Sequence, residues 1–327
     1  MKKKIRVSLI YKKNYNFFNP SHFDRTTSDF FLNVLNRYPE IEMSYFPCEN
    51  EFDTSKLKGK CDIILLANNR TDATPENLFG IKKLGIPVVT RVGDPHHASK
   101  YDQVTYHEQW NISCYFGKDP QSYFYKFYPD RFRYEVIIFG LEPALYKNLM
   151  LYDERIKNKI LNSGATGQLK LKSRIATAIL KPRQSGWYNY KLRTKCNYLP
   201  YVDYKGIRGD QYRPDLSYPE YLSRYRAAIA ATTYFPTQKY WEIPAAGCLT
   251  FMEITKKNDS SFLGFKNNET AIFIDEKNYK EKFESFLIDP DNSKWKEIAT
   301  SGRDFVMKNL TNENAIKNLV SIFRDLI

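Results

Sequence analysis

Short apolar runs recur along the first 145 residues: IRVSLIY, IEMSYFP, CDIILLANN, IPVVTRVGD, ISCYFGK and YEVIIFG. Their length and β-branched content fit buried strands. Segments with helical spacing lie between them. TTSDFFLNVLNRY follows Thr and Ser caps, PENLFGIKKLG has Pro75 early and Gly85 just past its end, and ASKYDQVTYHEQW follows. Buried runs alternating with helices predict a parallel sheet covered on both faces. The pattern then restarts. KNKILNSG, NYLPYVDY, AAIAATTY, CLTFMEI and AIFID predict strands, and QLKLKSRIATAIL, SYPEYLSRY and QKYWEIPAAG predict helices. The end is helical: NYKEKFESFL, SKWKEIATSGRDFVMKNL and ENAIKNLVSIFRDL. Two doubly wound α/β domains of similar size are expected, joined near Glu142–Tyr146.

Composition narrows this picture. The chain has 327 residues with 42% hydrophobic and 16% aromatic content, enough for two ordered cores rather than a disordered chain. No apolar stretch is long enough to span a bilayer. The opening MKKKIRVSLIY has too short an apolar run for a signal peptide and reads as the first strand. Five scattered cysteines show no metal-ligand spacing and read as reduced, mostly buried thiols of a cytoplasmic protein. The net charge of +13 is uneven: residues 146–213 hold 15 Lys and Arg against 4 Asp and Glu, while residues 1–145 hold 20 against 17. Such a basic segment suits phosphates, anionic lipid headgroups or nucleic acid, and also reads as an ordinary solvated face.

Ligands of doubly wound sheets bind beyond the carboxyl ends of the strands, and three segments fall there. In SGATGQLKLKSR, Gly164 and Gly167 permit close backbone approach, the helix start presents free N–H groups, and Lys170, Lys172 and Arg174 add charge. This suits a diphosphate, and it equally describes an ordinary loop before a basic helix face. In YFPTQKYWEIPAAGCLTFME, Lys239 and Glu242 stand three apart on one helix face. Pro244 fits the first helical turn, so the helix is expected to begin near Lys239. Glu242 can then accept hydrogen bonds from a ribose diol, or pair with Lys239. In RVGDPHH, Asp94 or His96 could act as general base toward a hydroxyl, although an Asp-Pro turn with solvent-facing histidines explains the same residues. DPD at 289–291 looks like an Asp-x-Asp metal motif, but a helix-ending turn and the next N-cap account for it better.

The motif Lys239-Tyr240-Trp241-Glu242-Ile243-Pro244-Ala245-Ala246-Gly247, with NSGATGQLKLKSR before it and NNETAIFID and IATSGRDFV after it, resembles the donor domain of GT-B glycosyltransferases. The similarity is to bacterial and archaeal enzymes with a Lys-Tyr-Phe-Glu-Ile-Pro-Ala-x-Gly motif and, more distantly, to the phage DNA β-glucosyltransferases. It implies two Rossmann-like domains facing a central cleft: an acceptor-binding domain over 1–145, a nucleotide-sugar domain over 146–305, and a last helix, 306–327, that crosses back. It implies that Glu242 holds the donor ribose. Gly164, Lys172, Arg174, Lys239 and backbone near Ala245 would hold the diphosphate, and Asp94, or His96, would be the base. The sequence departs from many such enzymes in having Tyr234 where a second glutamate stands eight residues before the first, and in lacking a glycine-rich turn after the first strand.

The resemblance thus implies a cytoplasmic glycosyltransferase, peripheral at the inner membrane face, that needs no metal and no cofactor beyond a nucleotide-diphosphate sugar, a UDP-sugar first. The expected acceptor is a surface polysaccharide or other envelope glycan, free or lipid-linked, with an anionic membrane surface as partner. Hydroxylated bases of DNA are the alternative acceptor, with nucleic acid as partner. A non-catalytic nucleotide-sugar or nucleic-acid binding protein is the reading from another class. A Rossmann dehydrogenase is disfavoured because no GxGxxG follows the first strand.

Overall fold

The computed structural model describes all residues except 1–2, 16–17, 19–25, 71, 96–97, 99–101, 168–170, 181–184 and 206–216. The chain forms two compact units, residues 1–140 with 311–327 and residues 141–310. It passes between them at Gly140/Leu141 and returns at Leu310/Thr311, whereas the sequence placed these points at 145/146 and 305/306.

The first unit holds the strands β1 (Ile5–Lys12), β2 (Ile41–Cys48), β3 (Glu51–Asp53), β4 (Ile63–Leu66), β5 (Asn77–Phe79), β6 (Val88–Arg91), β7 (Ile112–Gly117) and β8 (Tyr134–Val136). Six form one parallel sheet in the order β2-β1-β4-β6-β7-β8. β4 is buried along its whole length because both sheet faces are covered. Val7, Leu9, Phe30 and Phe31 pack on one face, and Ile10, Ile64, Leu66 and Phe124 on the other. Helix α1 (Gln103–Trp110) begins where the Asp102 carboxylate accepts the amides of Val104 and Thr105.

The segment PENLFGIKKLG is not a helix. Asn77–Phe79 pairs with β3 as a short parallel strand, and Gly80, at φ 79°, ends it in the left-handed region before one 3-10 turn. Leu78 points into the core while Asn77 and Phe79 face out, a two-residue period that outweighs the helical spacing of Leu78, Ile81 and Leu84.

The second unit has five parallel strands, β9 (Ile156–Ser163), β10 (Val202–Lys205), β11 (Tyr225–Ala230), β12 (Leu249–Glu253) and β13 (Ile272–Ile274). Their order is β10-β9-β11-β12-β13. Its helices include α2 (Leu171–Leu180), α3 (Lys191–Cys196), α4 (Tyr218–Leu222), α5 (Lys239–Ala245), α6 (Tyr279–Ile288) and α7 (Ser293–Asn309). A capping box between Ser217 and Glu220 starts α4. The core joins Ile160, Ile229 and Phe251 of the strands to Phe283, Trp295 and Ile298 of α6 and α7. The DPD segment ends α6 at Asp289, and Asn292 caps α7; Asp291 between them pairs with the buried Arg226 at 2.7 Å. The last helix, α8 (Asn312–Leu326), packs in the first unit, where Ile316, Leu319 and Phe323 enter the core with Val7 and Phe31.

Candidate functional site

β9 is flanked by β10 on one side and β11 on the other, so the chain leaves it in one direction and later resumes in the opposite one. Such a switch point opens a crevice at the strand carboxyl ends. Gly164 stands directly after β9 with φ 96°. Lys239, the first residue of α5, packs against it. A Cβ on residue 164 would lie 2.6 Å from Lys239 Cε, 3.0 Å from its Nζ and 3.4 Å from Arg193 Nη1. Glycine is therefore required here both by backbone conformation and by the approach of two cationic side chains.

Both cations are buried, Lys239 at 6% exposure and Arg193 at 2%. Lys239 Nζ donates to Tyr218 Oη at 2.8 Å and to Ser163 Oγ at 3.2 Å. The Arg193 guanidinium lies 4.1 Å over the Tyr190 ring, and its Nε has no hydrogen-bond partner among the described residues. Burial pushes the Lys239 ammonium well below the usual lysine range, the Arg193 charge pushes it further, and the Glu242 charge opposes both. Desolvation also lowers Arg193. Glu242 is buried one turn along α5, and its charge helps to raise the phenols of Tyr146 and Tyr218, although burial is the larger cause at each. Positive charge taken out of water without a matching set of carboxylates favours an incoming anion.

Helix α5 differs from its sequence reading in one respect. It begins at Lys239 and keeps Glu242 in the first turn, but Pro244 lies in the second turn and cannot donate a helical hydrogen bond there. The helix stops immediately afterwards. Gly247, at φ 73°, donates its N–H to the Pro244 carbonyl and gives its own carbonyl to Arg155 Nη1. Ala245 is therefore at the carboxyl end of α5, and the positive end of the helix is at Lys239.

A further buried acid ends β12. The Glu253 carboxyl is pushed up to about 8, chiefly by burial and secondarily by Glu276, with Arg193 acting against the shift. Its Oε2 has no hydrogen-bond partner among the described residues.

In the first unit, three strand ends converge. Beyond β4, Asn69 Oδ1 accepts the Gly93 amide at 3.1 Å, and its Nδ2 donates to Tyr128 Oη at 2.6 Å. This fixes the turn that carries Asp94, which is exposed. Beyond β7 stands Asp119, tied to the same edge because the Val92 amide bonds the Phe116 carbonyl at 2.8 Å. Burial raises the Asp119 carboxyl to about 8, the Asp94 charge raises it further, and Lys118 and Arg91 oppose. Below that pH Asp119 retains its proton. His96 lies outside the described residues.

Gly164, Lys239 and Glu242 are thus drawn to one strand-end site. Lys172 is exposed on α2, and Arg174 lies 4.5 Å over the Trp187 ring. The Arg193 guanidinium lies beside Gly164. Arg193, Glu253 and Asp119 were missed in the sequence, and two of them carried a readable signal. Glu253 ends an apolar run as Glu242 interrupts one, and Asp119 in FGKDP repeats the strand-end Asp-Pro of Asp94 in RVGDP. Arg193 in NYKLRTKC looks like any solvated base.

Residues 173–321 match the family model described as glycosyl transferase-like. No curated protein sequence matches the chain. Among solved structures, a glycosyltransferase from Rickettsia africae ESF-5 is similar at a TM-score of 0.58 and 11% identity, over 99% of this chain and 98% of that one. Anabaena HepE, solved with UDP and glucose, is similar at 0.57 and 11%, over 98% and 99%. An alpha-glucosyltransferase solved with UDP-glucose and DNA containing an abasic site is similar at 0.58 and 11%, over 98% and 100%. The fold is that of the GT-B glycosyltransferases. The family match runs from the second unit into α8, and together with this fold it makes the chain similar to glycosyltransferases.

Proposed function

We propose that the protein transfers a sugar from a UDP-sugar to a hydroxyl acceptor. One observation carries the reading: two buried cations, Lys239 of α5, the helix that also holds Glu242, and Arg193 of α3, meet Gly164 at the switch point of the second unit. A diphosphate leaving group supplies the negative charge these cations lack, and its developing charge at bond cleavage is stabilised by groups already in place. Glu242 accepts hydrogen bonds from the donor ribose. Asp94 takes the proton of the acceptor hydroxyl as its oxygen bonds the sugar carbon and the UDP oxygen departs. No metal or other cofactor is invoked. The UDP complexes of HepE and the alpha-glucosyltransferase support the choice of nucleotide.

For the acceptor we favour an envelope glycan, such as a surface polysaccharide. A second reading is a hydroxylated base in DNA, favoured by the DNA complex of the alpha-glucosyltransferase and by the cationic excess over residues 146–213. Calorimetry with UDP tests the donor site. Glu242→Ala should lose roughly 1.5–3 kcal/mol of affinity, as for a charged hydrogen bond; undiminished UDP affinity refutes the ribose role. Duplex DNA affinity that falls steeply with log salt would support the second acceptor, and a flat response would eliminate it.

A further inference from the structure

Helix α2 departs from every rule that governs the other long helices of its unit. α6 and α7 each bury a face against the sheet. None of the described side chains of α2 is buried. Leu171, Ile175 and Ile179 are 58%, 50% and 74% exposed. They recur every fourth residue, so they form one stripe within an arc of about 80°. Lys172 borders the stripe on one side and Arg174 on the other. Arg174 is held over Trp187, which aligns its charge with the helix rather than leaving it to sweep through solvent.

The stretch of sequence that contains α2 has the same composition. Residues 146–213 carry the chain's cationic excess, 15 Lys and Arg against 4 Asp and Glu. The same segment contains Met150, Leu151, Ile156, Tyr188 and Tyr198, all large, apolar and exposed. A protein partner would match apolar area with shape, and a nucleic acid would need the charge without the isoleucines. A surface that offers an apolar interior beneath anionic headgroups meets both at once.

We propose that α2 is an interfacial helix that lies on an anionic lipid surface, with Leu171, Ile175 and Ile179 inserted among the acyl chains and Lys172 and Arg174 at the headgroups. This is independent of the donor reading, because it uses none of Gly164, Lys239, Arg193 or Glu242.

Flotation of the full chain with vesicles tests it. Wild-type protein should bind phosphatidylcholine vesicles that contain phosphatidylglycerol and should bind pure phosphatidylcholine vesicles weakly. The double variant Ile175→Glu/Ile179→Glu should lose binding tenfold or more, with unchanged circular dichroism and UDP affinity. The conservative variant Ile175→Leu/Ile179→Leu should retain binding. Three results overturn the proposal: no binding of wild type to the anionic vesicles; binding that salt abolishes but the glutamates leave intact, which would be diffuse charge alone; or a concentration-dependent dimer, lost in the glutamate variant, without vesicle binding, which would make a second copy the occupant.

Discussion

The two units place different charged groups at the same architectural position. Each has a parallel sheet with its polar residues gathered at the strand carboxyl ends. In the second unit these are two buried cations, Lys239 and Arg193, standing with the buried acids Glu242 and Glu253. In the first they are acids, Asp94 and Asp119, with the second raised by burial. A phosphate suits the former and a hydroxyl proton suits the latter. The contrast teaches that a strand-end location prescribes where a ligand goes, while the charged residues placed there prescribe which ligand.

Single substitutions can break this contrast. The largest effect is expected from Asp94→Asn: turnover falls by about 10²–10⁴, the usual contribution of a positioned base, while UDP affinity holds. Release of UDP in a transfer assay measures the first and calorimetry the second; near-wild-type turnover would move the base elsewhere. Lys239→Met should do the reverse at the donor site, losing about 1.5–3 kcal/mol of UDP affinity. Because it removes a buried charge next to Arg193, its melting temperature should hold or rise. A lower melting temperature with intact affinity would make Lys239 a purely structural residue.

Gly164→Ala is the next step down. The added Cβ collides with Lys239 Cε, and φ 96° is strained for alanine, so a cost of about 1–3 kcal/mol is expected along with weaker UDP binding. Equal affinity would show that Lys239 needs no fixed seat. The last test is a pH dependence. Glu253 titrates at about 8 in the folded protein and near ~4.3 in an unfolded chain. Between these values the folded state retains a proton that the unfolded state has released, so stability falls as pH rises through this window and stays lower above it. Melting curves from about pH 6 to about pH 9 should show a steeper loss for wild type than for Glu253→Gln. Parallel curves would mean that the acid is already ionised when folded.

Much of the fold was legible because buried parallel strands announce themselves as apolar runs, as IILL in β4 and LTFM in β12 do. The error at residues 75–85 came from a segment too short for its period to decide, with Gly80 punctuating it. Pro244 misled in a subtler way: proline is costly inside a helix, but α5 is only two turns long and ends before the missing bond propagates. The site was half legible. Glu242 and Glu253 are conspicuous because a carboxylate amid apolar residues demands a reason. Arg193 is invisible in the sequence because nothing local distinguishes a base that will be buried by Tyr190 and Gly164 from one that faces water.

Helix α8 has a consequence for synthesis. Its Ile316, Leu319 and Phe323 complete a core whose other members, Val7 and Phe31 among them, are made first. The second unit is threaded into the first as an insertion, so a growing chain has everything needed to finish the later unit before it can finish the earlier one. Loss of the final helix would therefore damage the amino-terminal half of the protein, and a reporter fused at the carboxyl terminus would read out the folding of residues some 300 positions upstream.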